Sequence, residues 1–201
     1  MRDRSNSAKR TRAGRNPPRK SGRYKFPLRR QYAATVSLNM SEYSKSIDTP
    51  LGPVGVTWKD GILIRVDLEP KGLEESAVPL PMLIADQLDA YFSDGSKGFD
   101  LPIELRGTPF QHRVWTLLRS IPPGRTLTYG ALARKLGTSP RAIGGACRAN
   151  QCPIVVPCHR VVAAKGLGGF SGATAGRKLE VKRWLLRHET SMEFSARSKV
   201  T

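Results

Sequence analysis

A thiol and an imidazole stand side by side in CPIVVPCHRVV, residues 152–162. The thiolate is the nucleophilic form of cysteine, and a free thiol ionises only near a pKa of about 8.5, so a reactive cysteine needs a base and a positive field. Cys158 has His159 next to it and Arg160 beyond. The apolar run Ile154-Val155-Val156 reads as the end of a buried strand, stopped by Pro157, which helps expose the residue that follows. In an extended segment neighbouring side chains point to opposite faces, so thiol and imidazole meet only through a turn or a bridging water. A buried structural cysteine beside a hydrogen-bonded core histidine fits the same spacing. The pair alone leaves both readings open.

The remaining candidates for chemistry are few. Cysteines 147, 152 and 158 fall within twelve residues. An odd, clustered count does not build an extracellular disulfide framework and points to a reducing compartment. Histidines 112, 159 and 188 are scattered, and no repeated CxxC or HxxxH spacing suggests a metal. No apolar run reaches the roughly 18 residues of a membrane span, and the N-terminus lacks the apolar core of a secretory signal.

Charge distribution says more than the total of +18. Residues 1–39 carry twelve Lys/Arg and one acid; residues 40–104 carry five and twelve; residues 105–179 carry twelve and none; residues 180–201 carry five and three. A folded half without a carboxylate is an electropositive body, for which polyanions are the natural partner.

The elements that must position Cys158 are legible in outline. Residues 1–39 form an Arg-, Ser- and Pro-rich basic arm, expected to be disordered. It reads as a nucleic-acid-binding arm, as a targeting segment, or as a stretch upstream of a start at Met40. Residues 40–104 read as a small N-terminal α/β unit. Val54, Val56 and Trp58 alternate up to Asp60-Gly61, a hairpin signal, and Ile62, Ile64, Val66 and Leu68 alternate after it. Leu83, Ile84, Leu88, Tyr91 and Phe92 fall at helical spacing. Residues 105–190 read as a mainly helical domain, and residues 191–201 as a tail. Thr108 caps a helix that Pro109 opens, with Phe110, Val114, Leu117 and Leu118 inward. A short helix over 129–137 ends on Gly137, and a second follows with Ser139 as cap and Pro140 in first position. Two short helices around a tight turn on a basic segment suggest a helix-turn-helix. Between Arg141 and Arg148 the second helix carries Ala142, Gly144 and Gly145. These small residues suit either close approach to a nucleic-acid groove or tight helix–helix packing, and the pattern does not choose.

Five blocks occur in order: GTPFQHRVW, TYGALA, RAIGGACRANQCPIVVPCHRVV, GGFSG and KRWLLRHE. Together they resemble the O6-alkylguanine-DNA alkyltransferases, the methylated-DNA–protein-cysteine methyltransferases, over about residues 45–189. The resemblance implies an α+β chain, with a ribonuclease-H-like N-terminal unit before a helical DNA-binding domain with a helix-turn-helix. It implies irreversible transfer of a methyl or larger alkyl group from O6-alkylguanine, and from O4-methylthymine, to Cys158, once per molecule. His159 matches the base that reaches the thiol through a water, and Glu189 the carboxylate that orients it. Asn150 matches the residue holding the turn before the acceptor. Tyr129 is similar to the tyrosine that bonds the flipped guanine. Arg141 matches the arginine that fills the gap in the duplex. Ala142, Gly144, Gly145, Arg148 and Thr108 fall in the DNA-contacting blocks. Val161, Phe170, Ser171 and Gly172 fall around the base pocket, with the Val161 carbonyl accepting from the guanine amino group. No cofactor and no metal are implied. The implied partner is double-stranded DNA carrying O6-alkylguanine, met by a monomer and not at a membrane, in a bacterial cytoplasm or a eukaryotic nucleus. Cys147 and Cys152 occupy positions without chemistry in the family and read as structural.

The sequence departs from that pattern at Gln151, where a proline is usual, and at Phe170, where many members have tyrosine. The second reading is a lesion-binding module of the same fold that flags damage without chemistry; relatives of that kind replace the acceptor cysteine, which is present here. A Cys-His hydrolase or redox sensor leaves the acid-free half unexplained. A transcription factor leaves the PCHR block unexplained.

Overall fold

The computed structural model describes the backbone of residues 41–197 and the side chains of residues 41–190. The basic arm therefore lies outside the described residues, as do the last four residues of the expected tail. The fold is mixed α/β. β1 (Tyr43–Thr49), β2 (Gly52–Lys59) and β3 (Ile62–Asp67) form an antiparallel sheet in that order. Asp60 and Gly61 both take positive φ, 50° and 75°, as a two-residue turn matched to strand twist requires.

Val54, Val56 and Trp58 point into the core as their alternation predicts. On β3 the expected alternation of Ile62, Ile64, Val66 and Leu68 breaks, because Leu63 and Val66 are the buried pair within the strand. Thr57 faces Arg65 but Trp58 faces Leu63, so Ile64 is an extra residue on β3. This β-bulge reverses the faces on either side of it. β1 begins at Tyr43, ahead of the alternating pattern, on residues too polar to announce a strand.

α1 (Met82–Ser93) buries Ile84, Leu88 and Tyr91 against the sheet side of the core. Four helices follow: α2 (Pro109–Arg119), α3 (Tyr129–Leu136), α4 (Pro140–Arg148) and α5 (Arg177–Arg197). α2 opens on a reciprocal capping box between Thr108 and Gln111 and buries Val114, Trp115 and Leu118, with Phe110 and Leu117 only partly covered. Gly137 ends α3 in the left-handed region, φ 61°. Ser139 caps α4, accepting from the Ala142 amide. Trp115 Nε1 donates to the Ala146 carbonyl at 2.9 Å and ties α2 to α4.

Two short strands, β4 (Leu127–Thr128) and β5 (Val161–Val162), pair in parallel and bring the starts of α3 and of the post-acceptor segment together. The two halves are stitched by Gln151. Its carbonyl accepts from Val66 N at 2.9 Å. Its side-chain amide exchanges bonds with the Arg106 backbone, at 3.1 and 2.7 Å.

The expected strand over 154–156 is not formed. Residues 152–156 make a turn, with Val156 N bonded to the Cys152 carbonyl, and residues Cys158–Arg160 form one 3₁₀ turn. Prolines at 153 and 157 remove ladder donors at both ends of a three-residue run, leaving too little chain to pair. Ile154 takes φ 76°, a costly conformation for a β-branched residue, so its surroundings must hold it there.

Candidate active site and nucleic-acid face

The chain bends at the two residues themselves, in the 3₁₀ turn Cys158–Arg160, and is not extended there. Cys158 and His159 are both buried, at 2% and 0% exposure. Asn150, next to the α4 C-cap, holds the turn between helix and acceptor. Its Oδ1 accepts from Cys152 N at 3.1 Å. Its Nδ2 donates to the Val156 carbonyl at 2.8 Å and to Cys158 Sγ at 3.2 Å. Burial pushes the Cys158 thiol up, against the Asn150 bond and the Lys182 charge, which favour the thiolate.

In the same 3₁₀ turn, His159 Nε2 lies 2.6 Å from Glu189 Oε1. The same carboxylate accepts from the Tyr91 hydroxyl at 2.9 Å, from Arg160 Nε and Nη2, and from Gly124 N at 3.1 Å. Burial pushes Glu189 up, but bonds and charge from His159 and Arg160 outweigh it and hold the carboxyl at about 2. Burial holds His159 below its ordinary value, against the opposing pull of Glu189. A neutral imidazole facing an ionised carboxylate carries its proton on Nε2, which leaves Nδ1 as the basic nitrogen. Nδ1 is buried and has no hydrogen-bond partner among the described residues.

In front of the thiol lies an open cavity of about 740 Å³. Tyr129, Arg141, Gly144, Gly145, Arg148, Phe170, Ser171 and Gly172 line it together with Cys158. Tyr129 starts α3, fixed by the Thr128 cap, and its hydroxyl donates to the Gly169 carbonyl at 3.1 Å. Burial pushes the Tyr129 phenol up to about 12, so it stays a donor. Phe170 and Ala173 exchange backbone bonds at 2.9 Å around Ser171 (φ 45°) and Gly172 (φ 83°), which closes the far wall with a tight turn. A Cβ at Gly172 would lie 2.8 Å from Arg148 Nε.

α4 buries Ile143, Ala146 and Cys147 and turns Arg141, Gly145 and Arg148 outward on one face. A Cβ built at Gly144 or Gly145 meets nothing within 4 Å. Packing within the chain therefore does not call for glycine at either position.

Some expected residues fall elsewhere. Thr108 caps α2, and neither it nor Ala142 lines the cavity. The Val161 carbonyl accepts from Lys182 Nζ at 2.5 Å. Cys152 is fully buried under the turn, whereas Cys147, read as structural, lines the cavity. Tyr91 and Lys182 carry no chemical reading in the sequence, and Arg160 only that of a positive neighbour of Cys158, yet Tyr91 and Arg160 bond Glu189 and Lys182 bonds the segment after the acceptor turn. A charge repeated on the apolar stripe Leu179-Lys182-Leu185-Glu189 is the signal that marks Lys182. Among the described residues no cluster of His, Cys, Asp or Glu is gathered for a metal, and no helix is long and apolar enough to cross a membrane.

Residues 109–191 match the family model of the 6-O-methylguanine DNA methyltransferase DNA-binding domain. The methylated-DNA–protein-cysteine methyltransferase of Shigella flexneri is 36% identical over an alignment of 165 residues, covering 72% of this chain and 94% of that protein. This chain belongs to the methylated-DNA–protein-cysteine methyltransferase family. A Thermus thermophilus relative named a DNA base-flipping protein is 40% identical over 151 residues, covering 73% of this chain and 99% of its own. The O6-methylguanine methyltransferase structure from Mycobacterium tuberculosis superimposes with a TM-score of 0.66 at 36% identity, covering 75% and 94% of the two chains. A structure from the same organism in complex with DNA gives 0.62 at 37% identity, covering 74% and 93%. The family model ends two residues past Glu189, so it spans the cavity, the acceptor turn and the carboxylate behind it.

Proposed function

We propose that this protein repairs DNA by direct reversal, moving a methyl or larger alkyl group from O6 of guanine, or O4 of thymine, onto Cys158. The observation that carries the reading is the placement of Cys158. Cys158 lines an open cavity, and the next residue, His159, is hydrogen-bonded to the buried carboxylate of Glu189.

The chemistry follows from the residues. His159 Nδ1, through a water, takes the Cys158 proton, and Glu189 stabilises the imidazolium that forms. The thiolate pair forms the new S–C bond, the C–O6 bond breaks with its electrons on the guanine oxygen, and the thiol's proton is returned to the base. Tyr129 serves as a protonated donor to the leaving base, which lowers the barrier where charge develops. The product thioether is a poor leaving group, so each molecule acts once.

The lesion is stacked in a duplex, so the base must be turned out and the gap held open. α3 and α4 act as a helix-turn-helix that meets the minor groove through Gly144 and Gly145. Arg148 lies beside them, and Arg141 enters the gap. Thr108 and Ala142 contact the backbone nearby. The base then sits between Tyr129, Val161, Phe170, Ser171 and Gly172. Residues 40–104 are the ribonuclease-H-like support, residues 105–190 the catalytic and DNA-binding domain, and the acting form is a monomer. A base-flipping module without chemistry is the second reading, favoured by the name of the Thermus relative; Cys158 at the cavity speaks against it.

Arg141→Ala tests the flipping role. It is expected to slow repair of an alkylated duplex by about a hundredfold, a loss of roughly 3 kcal/mol, while reaction with free O6-benzylguanine changes little. Equal losses on both substrates contradict the role.

A further inference from the structure

Lys182 is fully buried on α5, yet no carboxylate pairs with it among the described residues. On the same helix face, two turns away, Glu189 is already neutralised by Arg160. The Lys182 ammonium instead donates to three backbone carbonyls, Val161 at 2.5 Å, Leu167 at 2.8 Å and Gly169 at 2.9 Å. All three belong to the segment that leaves the acceptor turn and becomes the cavity wall. Gly169 is also the acceptor of the Tyr129 hydroxyl, and Lys182 Nζ lies 5.9 Å from the centre of the Tyr129 ring.

A buried cation without a counter-ion costs several kcal/mol, and an uncharged side chain would fill the space without that penalty. Carbonyl dipoles offset part of the cost but leave a full positive charge in a dry site. The titratable groups whose charge couples to it are Cys158 and His159 from the acceptor turn and Cys147 from α4, and the Tyr129 ring of α3 lies beside it. None is an anion at rest, and Cys158 becomes one in the transfer.

We propose that Lys182 is a positioning residue for the transfer: its ammonium is the counter-charge for the Cys158 thiolate, and its three bonds tie the acceptor turn to the segment that becomes the cavity wall. This rests on Cys158 as the acceptor. It explains how a thiol buried against ionisation reacts at neutral pH, because the field is in place before the proton leaves. Burial holds the ammonium down to about 8, so the charge is present at neutral pH and is lost above it.

The test uses the full chain and two probes, iodoacetamide with peptide mapping of Cys158, and free O6-benzylguanine, each from about pH 6 to about pH 10. Lys182→Met is expected to move the ionisation limb of both profiles up by about one unit and to slow both reactions about tenfold at neutral pH. Lys182→Arg, which keeps the charge, is expected to retain the wild-type limb. A loss by the same factor at every pH, with the limb unmoved, makes Lys182 a structural lysine and overturns the proposal. Where Lys182→Met does not fold, Lys182→Arg decides: an ionisation limb displaced upward in the variant that keeps the charge overturns the proposal. Iodoacetamide needs no alkylated base, so its profile judges Lys182 even where the transfer reading fails.

Discussion

Glu189 draws donors from four residues in three parts of the chain: Tyr91 from α1, Gly124 from the loop after α2, His159 and Arg160 from the acceptor turn. One carboxylate thus fixes the imidazole and pins three segments around it. Its folded pKa of about 2 lies below the unfolded value of about 4.3. A depressed carboxylate contributes stability that is fully present above the unfolded value and is lost as pH falls towards the folded one. That contribution is on the order of 3 kcal/mol. Glu189→Gln is therefore expected to lower the unfolding midpoint at pH 7 and to converge on the wild type between about pH 4 and pH 2. A gap that stays constant over that window, in thermal melts, would show that ionisation at this position carries no stability. At this scale the sequence exposed only neighbours. Cys158 and His159 are adjacent, and the family blocks point to Glu189. Tyr91 is 98 residues from Glu189, and nothing in a tyrosine on an apolar helix face reveals that its hydroxyl meets a carboxylate.

The second helix of the pair, α4, carries two glycines that cost roughly 1 kcal/mol each against alanine. The space beside both is open. Of the two uses left open by the pattern, internal helix packing is removed and approach to an outside surface stands. The Gly144→Ala, Gly145→Ala double variant is expected to raise the thermal midpoint by several degrees and to weaken duplex binding by about tenfold, about 1.4 kcal/mol. Unchanged duplex affinity in a titration would contradict the close approach. Helix ends were legible here because their chemistry is local: Thr108, Ser139 and Gly137 do what their types favour. The acceptor turn was not, since Ile154-Val155-Val156 has strand composition. Two prolines and the Asn150 bonds override it. The bulge at Ile64 is equally silent in sequence, because the run Ile62-Leu63-Ile64 offers an apolar residue to either face.

Across the whole molecule the charge separates by region. The sheet-bearing residues 40–104 are acidic, and the segment 105–179 that holds α2, α3, α4 and the acceptor turn has no carboxylate. Glu189 reaches the site from beyond that segment, on α5, and arrives with its charge matched by Arg160. The cavity mouth is left with Arg141 and Arg148, a positive rim over a wall of small residues. A mixed α/β class was readable from the alternation of Val54, Val56 and Trp58 and the helical spacing of Ile84, Leu88 and Tyr91, and the partner's charge from the acid-free segment. How the halves meet was not, because Gln151 meets Val66 through its backbone carbonyl and Tyr91 meets Glu189 through its hydroxyl, at sequence separations that no local pattern encodes. All of this converges on one atom, Cys158 Sγ. The most direct measurement is the intact mass of the protein after mixing with a duplex carrying one O6-methylguanine, followed by peptide mapping. The account predicts a gain of one CH₂ unit on the peptide containing Cys158, saturating at one per protein and absent in Cys158→Ala. Tight, lesion-specific binding by the reduced protein with no change in mass would contradict it and make the chain a base-flipping module.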